Sequence, residues 1–217
     1  MKKLLFLMML VIWSLRAVNA NSEDYLIGPG DYLGGLGLVD NDTLLMTGGK
    51  IDGLSLGGYA VATIENTDLP MGILNLTAYS YCTVNIHGGA IGDITAEIES
   101  LVNITGGSIN SLEMYQNSMS YLYGGDIGTL ASAQSLLPQG DPGPKGWIQL
   151  YCLEYDYDSN NNLLTGLWGD STPFSVQLDD IGTIPTYQQI EFHIIPEPAS
   201  IMLLGLGGLW LRKKNKR

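Results

Sequence analysis

The sequence predicts an all-β protein built on a short β-solenoid. Three observations carry that expectation. Double glycines recur at an 18-residue step, aliphatic residues hold fixed columns beside them, and the intervening segments alternate apolar and polar residues as strands do. MTGGKIDGL begins at Met46, IHGGAIGDI at Ile86, ITGGSINSL at Ile104 and LYGGDIGTL at Leu122, the last three spaced by 18 residues. One further step back lies DLPMGILNL at Asp68, read as a degenerate copy in which Pro70-Met71 replaces Gly-Gly. Met46 and Asp68 are 22 residues apart, which places a four-residue insertion in the first interval.

Taken along the chain, the first element is not part of this fold. Lys2 and Lys3 precede an apolar run from Leu4 to Trp13, followed by Ala17-Val18-Asn19-Ala20. A basic start, a short hydrophobic segment and an A-x-A-like site describe a secretory signal peptide over residues 1–20, cut between Ala20 and Asn21. An uncut N-terminal anchor is the alternative, but Leu4–Leu15 is short for a bilayer.

Residues 21–137 hold the repeat. Aligned on the glycines, one column reads Ile51, Ile73, Ile91, Ile109 and Ile127, and a second reads Leu54, Leu76, Ile94, Leu112 and Leu130. A third column reads Met46, Asp68, Ile86, Ile104 and Leu122, with Asp68 as its exception. Each unit is expected to be one rung of a parallel stack, its aliphatics pointing into a shared interior and its Gly-Gly turning a corner. Five rungs stacked about 4.8 Å apart make roughly 24 Å of solenoid. A left-handed hexapeptide helix needs an aliphatic at every sixth residue, whereas Glu97 and Asn103 follow Ile91 at that step, so a right-handed or irregular coil is expected. No single rung buries enough to fold alone, and the stack needs covered ends.

Residues 138–146, with three prolines and three glycines, read as a linker or long turn. Beyond it, Trp147–Tyr157, Leu163–Trp168, Phe174–Leu178 and Gln189–Ile195 read as strands, with Asn160–Asn162 and Gly169–Ser171 as turns between them. Residues 147–195 are expected to form an antiparallel set that caps the solenoid or packs beside it.

The tail, residues 196–217, is a second address. Pro196-Glu197-Pro198-Ala199-Ser200 leads into an apolar run from Ile201 to Leu211 and then Arg212, Lys213, Lys214, Lys216 and Arg217. A helix over that run is short for a hydrocarbon core of about 30 Å, but its basic end fixes the cytoplasmic side. In this order and at this position, the features resemble a PEP-CTERM sorting signal. The resemblance covers only the tail. It implies an exported protein of a Gram-negative, biofilm-forming bacterium, held transiently in the inner membrane by a short transmembrane helix. It further implies that an exosortase, a membrane-embedded cysteine protease, recognises Pro196, Glu197 and Pro198 and releases the body to the cell surface or extracellular matrix. LLTGLWGDSTPFSVQL also resembles stretches of other PEP-CTERM proteins, without known chemistry attached.

Without its two addresses the body is strongly acidic. Residues 21–195 carry 21 Asp and Glu against Lys50 and Lys145, a net charge of −19. Such a surface repels nucleic acid and anionic lipid and attracts cations. Cys82 and Cys152 lie in a chain whose export permits a disulfide, and spacing alone leaves pairing or two separate thiols open. His87 and His193 are the only histidines, and neither has the neighbourhood of a Ser-His-Asp or Cys-His site. Glu154, Asp156, Asp158 and Asn160 alternate as hard oxygen ligands for calcium would, yet Asn161 and Leu167 stand where an EF-hand needs its glycine and distal glutamate. An acidic strand face running into an Asn-rich turn is the reading favoured here. The expectation is therefore a non-enzymatic structural or interaction protein, without cofactor, associated with exopolysaccharide. The alternative is a small glycan-binding or glycan-cleaving solenoid, since many acidic pairs exist and Tyr and Trp stack on neutral sugars.

Overall fold

The computed structural model describes residues 22–68, 71–136 and 142–196. Its body is a β-solenoid of about six turns. Each turn contributes a short strand to one parallel stack and a longer strand to a second. The first turn supplies β1 (Asp24–Ile27) opposite the broken pair β2 (Tyr32–Leu33) and β3 (Leu36–Leu38). There follow β4 (Thr43–Met46) with β5 (Lys50–Leu56), β6 (Val61–Ile64) with β7 (Ile73–Ala78), and β8 (Thr83–Ile86) with β9 (Ala90–Ala96). β10 (Leu101–Ile104) with β11 (Ser108–Met114) and β12 (Met119–Leu122) with β13 (Asp126–Ser132) complete the turns. Every pairing along both stacks is parallel: Met46 lies on Ile64, Ile64 on Ile86, Ile86 on Ile104 and Ile104 on Leu122.

The interior follows from the columns. Ile51, Ile73, Ile91, Ile109 and Ile127 stack in register and are buried, as are Leu54, Leu76, Ile94, Leu112 and Leu130. Each fully buried aliphatic contributes about 1.5–3 kcal/mol relative to exposure, so the core grows only by stacking turn on turn.

The structure corrects the second unit of the repeat. The column partner of Met46 is Ile64, not Asp68, so the aliphatic column is unbroken. The insertion sits entirely in the corner between β6 and β7, residues 65–72. Thr67 is buried there, and its hydroxyl accepts the Ala90 N–H at 2.7 Å, replacing a contact the shorter corners make through backbone. Asp68 lies outside the core, accepting the Gly30 N–H at 2.8 Å, and backbone hydrogen bonding by Gly30 and Gly49 holds its carboxyl below the usual range.

The glycine corners are set by close backbone approach. At Gly106 an added Cβ would lie 2.4 Å from the His87 carbonyl oxygen of the turn beneath, and Gly107 follows with φ +91. Thr105 N–H donates to Ile86 and Ser108 N–H to Gly89, so the corner backbone is paired from turn to turn. On the opposite corner, four-residue turns close with Ser118 N–H donating to Tyr115, and a column of small buried residues (Ala60, Cys82, Ser100, Ser118) lines the bend.

Two further expectations change. Part of the expected linker is a strand: β14 (Gln134–Leu136) pairs antiparallel with β15 (Pro142–Lys145), forming a hairpin between solenoid and cap. The C-terminal region is not a purely antiparallel set either. β16 (Trp147–Asp158) opens by continuing the first stack, Trp147 on Met119 and Leu150 on Leu122. It then runs straight past the position where earlier turns bend, and pairs antiparallel with β17 (Leu163–Trp168). β18 (Pro173–Asp179) returns antiparallel to β17 and lies parallel on β13, closing the second stack. After a 3-10 turn over Thr186–Gln189, β19 (Ile190–Ile194) lies parallel on β16. Trp168 is buried over the end of the core, and its indole N–H donates to the Gly125 carbonyl at 3.0 Å, satisfying the glycine corner that has no turn above it.

The expected targeting helices and the residues Ala20, Asn21, Glu197 and Pro198 lie outside the described residues. Pro196 is exposed, directly beyond Ile195. Among the described residues no helix is long and apolar enough to cross a membrane.

Gly106→Ala is expected to lower stability by about 1–3 kcal/mol, because the clash is with backbone that cannot move aside. Gly53→Ala, where nothing lies within 4 Å of the added Cβ, is expected to be neutral or slightly stabilising. Urea unfolding of both variants checks the contrast. Tyr115 supplies a second test: burial and the hydrogen bond to Glu113 push its hydroxyl from 10.0 up to about 12. Between those values the folded chain keeps a proton that the unfolded chain has lost, so stability falls as pH rises through the window. Urea titrations across it should show a shallower decline for Tyr115→Phe.

Candidate functional site

Side chains alternate along a strand, so every second residue of the first stack faces outward on one flat face. Parallel register turns those residues into three rows along the solenoid. One row runs Val61, Thr83, Leu101, Met119, Trp147. The next runs Thr63, Asn85, Asn103, Tyr121, Gln149, Glu191. The third carries His87, Thr105 and Tyr123, just beyond the ends of β8, β10 and β12, with Tyr151 in β16 and His193 in β19 at equivalent positions.

The rows are internally bonded. Asn103 donates its amide N–H to Asn85 Oδ1 at 2.8 Å, forming the amide ladder that identical stacked residues favour. His87 Nδ1 meets Thr105 Oγ1 at 2.8 Å. Tyr123 and Tyr151 stack at 4.4 Å with 20° between planes, and Tyr151 and His193 at 4.4 Å with 13°. His193 Nε2 bonds Gln149 Oε1, and Gln149 donates to Glu191 at 2.7 Å. Partial burial and the neighbouring Tyr123 raise the Tyr151 hydroxyl pKa. Trp147 carries the Lys145 ammonium 3.9 Å above its ring, a cation–π contact. At the other end of this face, Tyr59 and Tyr81 stack at 5.5 Å on the corner that leads into β6 and β8.

This arrangement suits binding by surface contact. Amides and hydroxyls both donate and accept, and the aromatic rings supply apolar area beside them. Because Tyr151 lies between Tyr123 and His193, its ring faces are closed, and only the outer faces of the two end rings remain for a ligand.

The individually singled-out residues fall differently. His87 is an exposed corner residue. His193 is held in β19 by stacking and a hydrogen bond. The calcium candidates do not gather. Glu154, Asp156 and Asp158 project from an extended strand, and Asp158 is occupied in receiving the Asn160 N–H and the Asn161 side-chain amide at the turn. Among the described residues no three His, Cys, Asp or Glu groups converge as a metal would require. Cys82 and Cys152 are free and buried on different turns, one in the small-residue corner and one beneath the cap.

The repeat alignment contained Tyr121 and Tyr123, in the columns of Asn103 and Thr105, and so held half of this surface. Tyr151 and His193 escaped it, because Leu122 pairs with Leu150 and Leu150 with Phe192, steps of 28 and 42 residues.

Burial raises the Cys82 thiol to about 11, which removes the thiolate at neutral pH. Iodoacetamide should leave Cys82 unmodified in the folded protein and label it in urea; rapid labelling of native protein would contradict the burial. Comparison with protein-family models, curated proteins and solved structures finds no match for this chain.

Proposed function

We propose that this is an exported, exosortase-sorted surface or matrix protein whose solenoid serves as a rigid interaction module for extracellular polysaccharide, without catalysis. The single observation that supports the interaction role is the face of stacked Tyr and His rings beside a bonded Asn pair. Several acidic side chains are already committed to structure: Asp42 receives the Glu23 and Val39 N–H groups, and Asp170 receives Thr172. Backbone hydrogen bonds from Glu23 and Val39 hold the Asp42 carboxyl below the usual range, and side-chain and backbone hydrogen bonds from Thr172 do the same for Asp170. Export and sorting rest on the two terminal segments, which resemble a signal peptide and a PEP-CTERM tail.

The reading puts the body outside the cytoplasm, with the membrane and the sorting enzyme met only in transit. The polyanionic surface keeps it soluble among anionic matrix components and draws divalent cations diffusely. Intact mass spectrometry of surface and medium fractions from the native host, with co-sedimentation on its exopolysaccharide, tests the proposal. Recovery of a chain ending near Pro196–Ala199 that sediments with polysaccharide is expected. A full-length chain confined to the membrane fraction would overturn it.

A further inference from the structure

Resting on that reading, we infer that the ligand is an extended, neutral, β-linked polysaccharide lying along the solenoid axis, one sugar unit to each rung. The face presents its polar groups at a single repeated step, the spacing of hydrogen-bonded strands, about 4.8 Å. An extended β-linked hexose chain advances by nearly the same distance per unit. Successive units of such a chain are flipped over, so a hydroxyl placed to meet Asn85 has its equivalent two rungs on, at the hydroxyl of Tyr121, while the unit between them turns its other edge to Asn103. A chain crossing the strands at right angles to this axis would meet each row only once.

Three further features agree with this placement. Aromatic groups flank the rows on both edges, Tyr59 and Tyr81 two residues before Val61 and Thr83 and Tyr123 two residues after Tyr121, where ring edges and hydroxyls can meet a sugar. Five steps from β6 to β19, about 24 Å, suit five or six units. The charges select against acidic sugars. Lys145 is the basic residue of this face among the two lysines of the body, and its ammonium is engaged over Trp147. Glu191 ends the second row, Glu65 follows β6 and Glu99 precedes β10, and all three repel carboxylated or sulfated chains.

Calorimetric titration of the purified protein with the series from cellobiose to cellohexaose tests the inference. Affinity should rise at each added unit, with cellohexaose at least about tenfold tighter than cellobiose. Asn103→Ala and Tyr123→Ala should each weaken cellohexaose binding about tenfold. An unchanged unfolding transition would show that these outward-facing substitutions leave the fold intact. Cellohexaose binding no tighter than cellobiose would overturn the inference, as would a preference for anionic alginate oligosaccharides. If both variants retain wild-type binding to the host exopolysaccharide, this placement fails while the matrix reading stands. If the wild-type protein binds neither cellohexaose nor the exopolysaccharide, both fail.

Discussion

The whole molecule depends on one constraint: each turn must lie in parallel register on the turn beneath it, so that its backbone donors meet carbonyls there and its aliphatics extend a common core. The constraint acts at two places in every rung. Inside, a column such as Ile51–Ile73–Ile91–Ile109–Ile127 admits only side chains of similar volume, because a smaller one leaves a void shared by two neighbours. At the corner, the backbone of one turn sits so close to the next that Gly106 has no room for a Cβ. The same register that packs the interior also arranges the exterior. A residue placed outward in one rung is stacked on its equivalents, and single side chains become rows.

Ends are where such a stack is exposed, and the two ends are treated differently. At the C-terminal end, β16 stops bending and feeds a hairpin that brings Trp168 over the last turn. The indole N–H reaches the Gly125 carbonyl, which would otherwise await a turn that does not exist. Gln189 and Thr186 tie the 3-10 turn to Ser132 through buried hydrogen bonds, pinning the cap to β13. At the N-terminal end the first turn is split into β2 and β3, and acidic residues flank it: Glu23, Asp24, Asp31 and Asp40. Charge on an edge strand opposes pairing with another chain.

The aromatic ladder has the same origin as the core. Tyr123, Tyr151 and His193 come from three separate elements, yet they stack because β12, β16 and β19 are successive members of one parallel sheet. Ring stacking at that step adds about 0.5–1.5 kcal/mol per pair beyond burial, so the surface that suits a ligand also helps hold the cap in place. Functional reading and structural role are therefore not exclusive here. The rings stabilise the stack through their faces and meet solvent through their edges and hydroxyls.

Much of this was legible in the chain. The period of 18, the inward columns and the Gly-Gly corners define a solenoid, because a sheet coiled at constant register must repeat its core residues at the length of one turn. The strands Leu163–Trp168 and Leu101–Ile104 stand where alternation places them. Composition likewise settled that the body is polyanionic. What the tertiary structure alone decided concerns places where the period breaks. The insertion belongs to the corner at residues 65–72, because Ile64 fills the core position whatever the spacing of the glycines. The region after residue 146 continues the stack, although its steps of 28 and 42 residues hide the repeat. Cys82 and Cys152 remain apart, since they occupy different turns of a rigid core. Local pattern specifies a rung; which rung lies on which is set by backbone pairing and core volume, and these exist only once the chain has coiled.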